Sequence, residues 1–215
     1  MESGRTTSLR IESLQWPITV LGFGSRIGIW FQGCSIGCPG CCARHTWDAD
    51  EGAAVSVDAV LGWVRDLPLD EVDGVTITGG EPFEQPEALH DLVAGLRRDV
   101  RFGRRIDVLC YSGYPWGRLS RRHAGILALL DTVITGPYVE KLPPRWLRGS
   151  SNQVVHTLSG LGRERYPETP RRANGLQIVP AQDAVRIVGI PNRGDLEKME
   201  GRLAEIGVTF GETSW

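Results

Sequence analysis

Lysine is almost missing from this chain. Its 215 residues carry 24 basic side chains, and only Lys141 and Lys198 among them are lysines. That bias reads as the coding signature of GC-rich DNA, not as a binding feature. An excess of one charge is lacking too. The formal net charge is −2, which predicts no bulk attraction to nucleic acid or to an anionic membrane. Long apolar runs are also absent. The opening stretch "MESGRTTSLRIESLQWPITV" has no apolar segment of signal-peptide length, and no later run approaches the ~20 residues that cross a bilayer. The expectation is a cytoplasmic, reducing compartment, with neither nucleic acid nor membrane as partner. Cysteine is scarce: there are five, and four of them crowd into residues 34–42. In a reducing compartment such a cluster points to metal binding or catalysis, not to a disulfide framework.

What the chain does have is an alternation of strand-like and helix-like segments. "RIGIWFQ" (26–32), "GVTITGG" (74–80), "RIDVLCYSG" (105–113) and "DTVITGPYV" (131–139) read as strands. "VSVDAVLGWVRDL" (55–67), "EALHDLVAGLRRDV" (87–100) and "SRRHAGILALL" (120–130) read as helices, with Val60, Leu61, Val64 and Leu67 sharing one face of the first. This rhythm predicts an α/β fold of parallel β/α units. Functional residues then belong in the loops after the strand carboxyl ends. The cysteine loop, "TGGEP" and "YSGY" all fall at such places, so one edge of one sheet collects three unusual loops. Residues 140–180 read mostly as irregular. "AVRIVGI" (184–190), "GDLEKMEGRLAEIG" (194–207) and "VTF" predict a small βαβ-like extension. The division is a main domain over 1–160, with 161–215 as an irregular segment and extension packed on it.

"GCSIGCPGC" (33–41) places Cys34, Cys38 and Cys41 among glycines and a proline, with Cys42 next in line. Four readings compete. The cysteines are small buried hydrophobes; or a zinc site with Cys42 or His45 as fourth ligand; or a redox pair of Cys38 and Cys41; or three thiolate ligands of an iron–sulfur cluster. In the last, a four-iron cube keeps one iron without a protein ligand, open to a substrate or cofactor. Glycines at 33, 37 and 40 let the backbone wrap such a group, and backbone amides tune it. Cys42 points away from its neighbour and is not expected to be a ligand.

The spacing C-x3-C-x2-C at Cys34, Cys38 and Cys41, followed by "TITGGEP" (76–82), resembles the radical S-adenosylmethionine (SAM) enzymes. "GFGSR" (22–26), "QGCSIGCPGC" (32–41), "TW" (46–47), "YSGY" (111–114), "GPYVE" (136–140) and "RGSSNQVVH" (148–156) are similar to the activating enzymes of glycyl-radical proteins, those of class III ribonucleotide reductases above all. The resemblance covers roughly residues 15–160. It implies a partial, open β/α barrel, a [4Fe–4S] cluster on Cys34, Cys38 and Cys41, and SAM chelating the open iron. Reductive cleavage of SAM would give a 5′-deoxyadenosyl radical for hydrogen abstraction. The resemblance further implies that Gly79 and Gly80 bring backbone close to the SAM amino group and that Glu81 orients that loop. It makes Ser112 a candidate partner of the SAM carboxylate or ribose. Asn152 and Gln153 become candidates for contact with adenine or substrate peptide. The expected partners are a flavodoxin- or ferredoxin-like electron donor and a protein or peptide substrate. Two other functions stay in view: a radical SAM enzyme that modifies a peptide or small molecule, and a non-catalytic iron–sulfur or zinc module.

The remaining features have bland readings. Trp30 and Trp63 fit core positions, and Trp116 and Trp146 fit a cleft wall. His45, His90, His123 and His156 share no spacing. "SNQ" suits a helix cap or an Asx-type turn. The basic run "RRDVRFGRR" (97–105) is a solvated helix end or a phosphate site.

Overall fold

The computed structural model describes residues 7–99, 106–168, 173–180, 185–205 and 207–208. The four strands expected from sequence are present as β2 (Arg26–Phe31), β4 (Gly74–Gly79), β5 (Asp107–Ser112) and β6 (Thr132–Thr135). They run parallel to one another as consecutive neighbours. Three further strands complete the sheet: β1 (Ser8–Ile18), β3 (Ala53–Ser56) and β7 (Val154–Thr157). The order is β3-β1-β2-β4-β5-β6-β7, with β1 antiparallel to β2 and to β3, and β7 antiparallel to β6. The architecture is therefore mixed α/β around a seven-stranded mixed sheet.

Side chains alternate across this sheet, as the pleat requires. Ile27, Ile29 and Phe31 of β2, Val75 and Ile77 of β4, Val108 and Cys110 of β5 and Val133 of β6 belong to one buried cluster. The helices α1 (Val57–Arg65) and α2 (Pro86–Arg98) complete it through Val60, Leu61, Val64, Leu89, Leu92, Val93 and Leu96. Each fully buried Leu, Ile or Val stabilises the fold by about 1.5–3 kcal/mol relative to exposure, so this face carries most of the apolar stabilisation. Ser56 caps α1 by accepting from the Ala59 amide at 3.0 Å, and Pro86 sits in the first turn of α2, where its missing N–H costs nothing.

The single helix expected at 120–130 is two: α3 (Trp116–Arg122) and α4 (Ala124–Leu127). His123 breaks them with φ −132° and ψ 30°. Its N–H closes α3 on the Leu119 carbonyl at 2.8 Å, and its own carbonyl accepts from Ile126 and Leu127 to open α4. Its ring packs against Phe83, which favours the break.

The opposite face of the sheet has a polar knot at its amino end. Arg26 and Asp107 are fully buried and paired through two 2.9 Å bonds. Arg165 donates to Asp107 at 2.5 Å and Tyr166 at 2.8 Å. Thr76 Oγ1 and the carbonyls of Phe23 and Val75 accept the remaining Arg26 donors. Burial works to raise the Asp107 pKa, but the charge of Arg26 and the bonds from Arg26, Arg165 and Tyr166 outweigh it and hold the carboxyl below its ordinary value. Arg165 and Tyr166 arrive on α5 (Gly160–Arg165), which is capped by Ser159. Residues 140–180, read as irregular, thus contain β7, α5 and a further strand. Leu147 and Tyr166 also close a small apolar cluster with Leu109 and Ile134, against which Trp146 packs.

The extension corrects a second expectation. It is not βαβ-like: β8 (Leu176–Pro180) and β9 (Val185–Gly189) form an antiparallel pair, followed by α6 (Asp195–Glu205). Only residues 181–184 join the two strands. So short a connection makes a hairpin, whereas a parallel crossover needs about a dozen residues. The hairpin lies on the end of β1: Gln177 accepts from the Thr19 amide at 2.9 Å and donates to the Pro17 carbonyl at 2.8 Å, and Val188 packs on Ile18 and Leu21. Of the basic run, residues 100–105 lie outside the described residues. Arg97 is engaged with the Leu129 and Ile106 carbonyls and with Asp131. "VTF" lies outside them except for Val208.

Candidate iron–sulfur site

Because β2, β4, β5 and β6 are parallel, their carboxyl ends share one edge of the sheet, and the loop after β2 is the cysteine loop. Gly33, Gly37 and Gly40 have φ of 99°, 58° and 72°, a region that side chains disfavour, so the loop can wind tightly. Its start is fastened by Gly33 N–H to the Thr46 carbonyl at 2.8 Å and by Cys34 N–H to the Trp47 carbonyl at 3.0 Å. The buried Gln32 amide adds bonds to the carbonyls of His45 and Asp48. Ser35 donates its N–H and its hydroxyl to Glu84.

Cys34, Cys38 and Cys41 are half-buried free thiols on this loop, while Cys42 is exposed. Cys110 lies in the helix-covered core, which separates it from the other four. The Ala43 amide donates to the Cys41 sulfur at 3.4 Å, while the amide dipoles of Ile36 and Gly37 act on the Cys34 thiol and that of Tyr138 on the Cys38 thiol. Burial pushes the Cys34 and Cys38 thiols up, and these amides pull them down by a smaller amount. The thiols therefore stay protonated at neutral pH until a metal displaces the proton. Among the described residues no three His, Cys, Asp or Glu side chains converge as a ready-made metal site. The fold brings the three cysteines onto one loop but not onto one point. The donor set still fits a thiolate-held cluster: three sulfurs, each acted on by an amide that stabilises negative charge. His45, weighed as a zinc ligand, contributes its carbonyl to Gln32.

The "GGE" loop packs directly under the cysteine loop. A Cβ on Gly79 would lie 2.5 Å from the Phe31 oxygen, and one on Gly80 would lie 2.2 Å from the Gly33 oxygen. Gly80 N–H donates to the Phe31 carbonyl and Glu81 N–H to that of Gly33. The need for glycine here thus arises from close packing of two strand ends. Glu81 is buried, and its Oε1 accepts from Phe83 N–H at 3.0 Å and from the Ser112 hydroxyl at 2.9 Å. Its Oε2 accepts from Gly113 N–H at 2.7 Å. One carboxylate ties the loops after β4 and β5 together. Ser112 also accepts from Tyr114 N–H at 3.1 Å, so the hydroxyl considered for SAM serves in this tie. Glu84 accepts from the Tyr114 hydroxyl at 2.9 Å, with Arg118 stacked 3.4 Å over the Tyr114 ring.

Burial pushes the Glu81 carboxyl up to about 7, against the opposing pull of its three donors. A carboxyl raised in the folded state binds its proton more tightly there than in the unfolded chain. Stability from this group is complete below pH ~4.5, is lost as pH rises to ~7, and is level above; the span is worth about 3 kcal/mol. Urea unfolding of the metal-free protein at pH 5 and pH 8 checks this. The gap between wild type and Glu81→Gln should narrow by about that amount at the higher pH; a constant gap would remove Glu81 as the source.

"RGSSNQ" proves to be a clasp on the loop after β6. Asn152 donates to the Pro137 carbonyl at 2.8 Å and Gln153 to that of Gly136 at 3.0 Å. Ser150 accepts from Val139 N–H at 3.0 Å. The turn is neither an Asx-type turn nor a helix cap: Gln153 N–H closes it on the Ser150 carbonyl at 3.1 Å, β7 follows, and both side-chain amides are used on backbone. The clasp and the tie between Glu81 and Ser112 went unseen in the sequence. The only hint was that polar residues abut glycines at strand ends. Trp116, assigned to a cleft wall, stacks on His156 with centroids 4.2 Å apart.

Comparison with known proteins agrees with this geometry. The family of 4Fe-4S single cluster domains matches residues 20–156, well over half of the chain. The anaerobic ribonucleoside-triphosphate reductase-activating protein of Salmonella typhimurium is 28% identical over 149 residues, 66% of this chain and 96% of that one. The protein of the same name from Enterobacteria phage T4 is 31% identical over 137 residues, 62% of this chain and 85% of its own. The pyruvate formate-lyase 1-activating enzyme of Escherichia coli is 34% identical over 93 residues, 42% of this chain and 38% of that enzyme. The cysteine loop and the "GGE" loop lie inside the matched region, and the chain belongs to the 4Fe-4S single cluster domain family, among the radical SAM activating enzymes.

Proposed function

We propose that this chain is a glycyl-radical activase that works on a large protein partner of the anaerobic ribonucleotide reductase kind. Cys34, Cys38 and Cys41 would hold a [4Fe–4S] cluster, and SAM would bind beside it. The chemistry that a reduced cluster and SAM supply together is cleavage of the sulfonium bond and abstraction of a hydrogen atom. The chain's own part is positioning. The Gly79–Gly80 backbone would border the SAM amino group, and Glu81 keeps that loop in register with the loop carrying Ser112. The sheet face that bears Trp30, Thr78 and Tyr111 forms the inner wall of an open β/α barrel and shields the reacting atoms from water. A flavodoxin- or ferredoxin-like protein supplies the electron. The names of the relatives support an anaerobic reductase as the protein acted on.

One observation carries this reading: three cysteines, each acted on by a backbone amide, on a loop whose base is bonded to the "GGE" turn. The test is anaerobic reconstitution with iron and sulfide, then SAM and dithionite, with 5′-deoxyadenosine read by chromatography. A glycyl radical on an added anaerobic reductase, read by electron paramagnetic resonance, tests the target. Production of 5′-deoxyadenosine without any glycyl radical would move the target to a peptide or small molecule. Zinc uptake in place of a cluster would sink the enzyme reading.

A further inference from the structure

The matched family region ends at residue 156, yet the extension beyond it reaches back to the cysteine loop. Residues 136–141 form a strap that follows β6 and crosses that loop. At its start, Gly136 N–H donates to the Tyr114 carbonyl at 3.1 Å. The clasp of Ser150, Asn152 and Gln153 holds residues 136–139 from one side, and Gly149 leaves room for the Tyr138 ring, which a Cβ there would meet at 3.1 Å. On its other side the strap touches the cysteine loop. Gly40, between Cys38 and Cys41, packs so closely on Glu140 that a Cβ would come within 2.8 Å of its carboxyl carbon, and the Tyr138 amide dipole acts on the Cys38 thiol. The far end of the strap is pinned by Arg193, whose guanidinium donates to the Glu140 carbonyl at 3.0 Å and to the Lys141 carbonyl at 2.8 Å. Arg193 is itself set by the turn before α6, where Asn192 bonds Asp195 through N–H and side chain.

We propose that Arg193 is a positioning residue for the cluster site: by pinning the strap at Glu140 and Lys141, it keeps Glu140 packed on Gly40 and the strap over the cysteine loop. The inference rests on the cluster reading above and gives the extension a task, that of bracing the cover of the cysteine loop. An amide dipole that acts on a thiolate ligand favours the more negative, reduced state of a cluster, and a packed cover slows loss of iron. A free strap would weaken both effects. A guanidinium can reach two carbonyls at once, and an ammonium is a single point donor. Lysine should therefore restore only part of the function.

The experiment compares reconstituted wild type, Arg193→Ala, Arg193→Lys and Asn152→Ala. Iron release to a ferrous chelator is timed, and the cluster midpoint is read by redox titration. Arg193→Ala should release iron about tenfold faster, the low end of what loss of an outer-shell partner costs a metal site. Its midpoint should move to a more negative potential, and Arg193→Lys should fall between it and wild type. Asn152→Ala, which frees the other end of the strap, should shift both readouts in the same direction. Arg193 is exposed and, among the described residues, bonds only backbone carbonyls, so the unfolding midpoint should not move. If wild type assembles a cluster and all three variants match its release rate and midpoint, the bracing role is wrong and the cluster reading stands. If wild type takes up no cluster, both fall.

Discussion

Cys38→Ala protein, reconstituted with iron and sulfide under argon, should hold no stable cluster and yield no 5′-deoxyadenosine from SAM. Loss of an outer-shell partner alone weakens a metal site about 10–100-fold, and removal of a direct thiolate is the larger insult. Cys34→Ala and Cys41→Ala should behave alike, because the three sulfurs share one loop. Two other cysteines make the result specific. Cys42→Ala removes an exposed neighbour and should leave iron content and SAM cleavage intact. Cys110→Ala should cost some stability through a cavity in the core but leave the iron in place. The pattern separates the competing chemistries. Zinc bound through Cys42 as fourth ligand would make Cys42→Ala as damaging as Cys38→Ala. A redox pair of Cys38 and Cys41 would leave Cys34→Ala active.

Asp107→Ala should be among the most damaging single changes to stability, far from the chemistry. Asp107 takes bonds from Arg26, Arg165 and Tyr166, and the Arg26 and Asp107 side chains are wholly removed from solvent. Alanine would leave the buried Arg26 charge with hydroxyl and carbonyl acceptors but no counter-charge in contact. Breaking one partner out of a buried pair costs about 3–5 kcal/mol. For a domain of this size that is a fall of roughly 6–20 °C in Tm, read by calorimetry. Asp107→Asn keeps the shape and loses the charge, so it should fall between. The knot lies at the amino ends of the strands, opposite the cysteine loop. SAM cleavage per folded molecule should therefore persist at temperatures where the variant is still folded. A drop of less than about 1 kcal/mol would mean that water reaches Arg26 and compensates it.

The sequence displayed the parallel strands because β2, β4, β5 and β6 are buried runs that end in glycines or turn residues. The three candidate ligand cysteines were legible for a related reason: a metal or redox site is the usual cause of thiols crowded so closely in a chain that otherwise avoids them. What stayed hidden depends on pairing across long separations. β1 mixes polar and apolar residues because it lies between two antiparallel neighbours, and β7 is four residues long and half-exposed. Helix α5 reads as Gly- and Arg-rich loop, since its purpose is to deliver Arg165 and Tyr166 to Asp107, some sixty residues earlier in the chain. Ser112 and Asn152 stood out as polar residues in unusual loops. Only the fold shows that their side chains hold neighbouring loops in place, Ser112 through Glu81 and Asn152 through the Pro137 carbonyl.

The knot around Asp107 also sets a timetable for the newborn chain. Arg26 emerges from the ribosome first, Asp107 later, and Tyr166 is made 140 residues after Arg26. At 5–20 residues per second that interval is roughly 7–28 s. Arg26 has all of its own hydrogen-bond partners once Asp107 is made, but Asp107 waits for Arg165 and Tyr166 until the interval ends. The knot is therefore complete only after α5 has been synthesised. A stop just before that helix yields a chain whose seven sheet strands are all translated but whose floor lacks two of its donors.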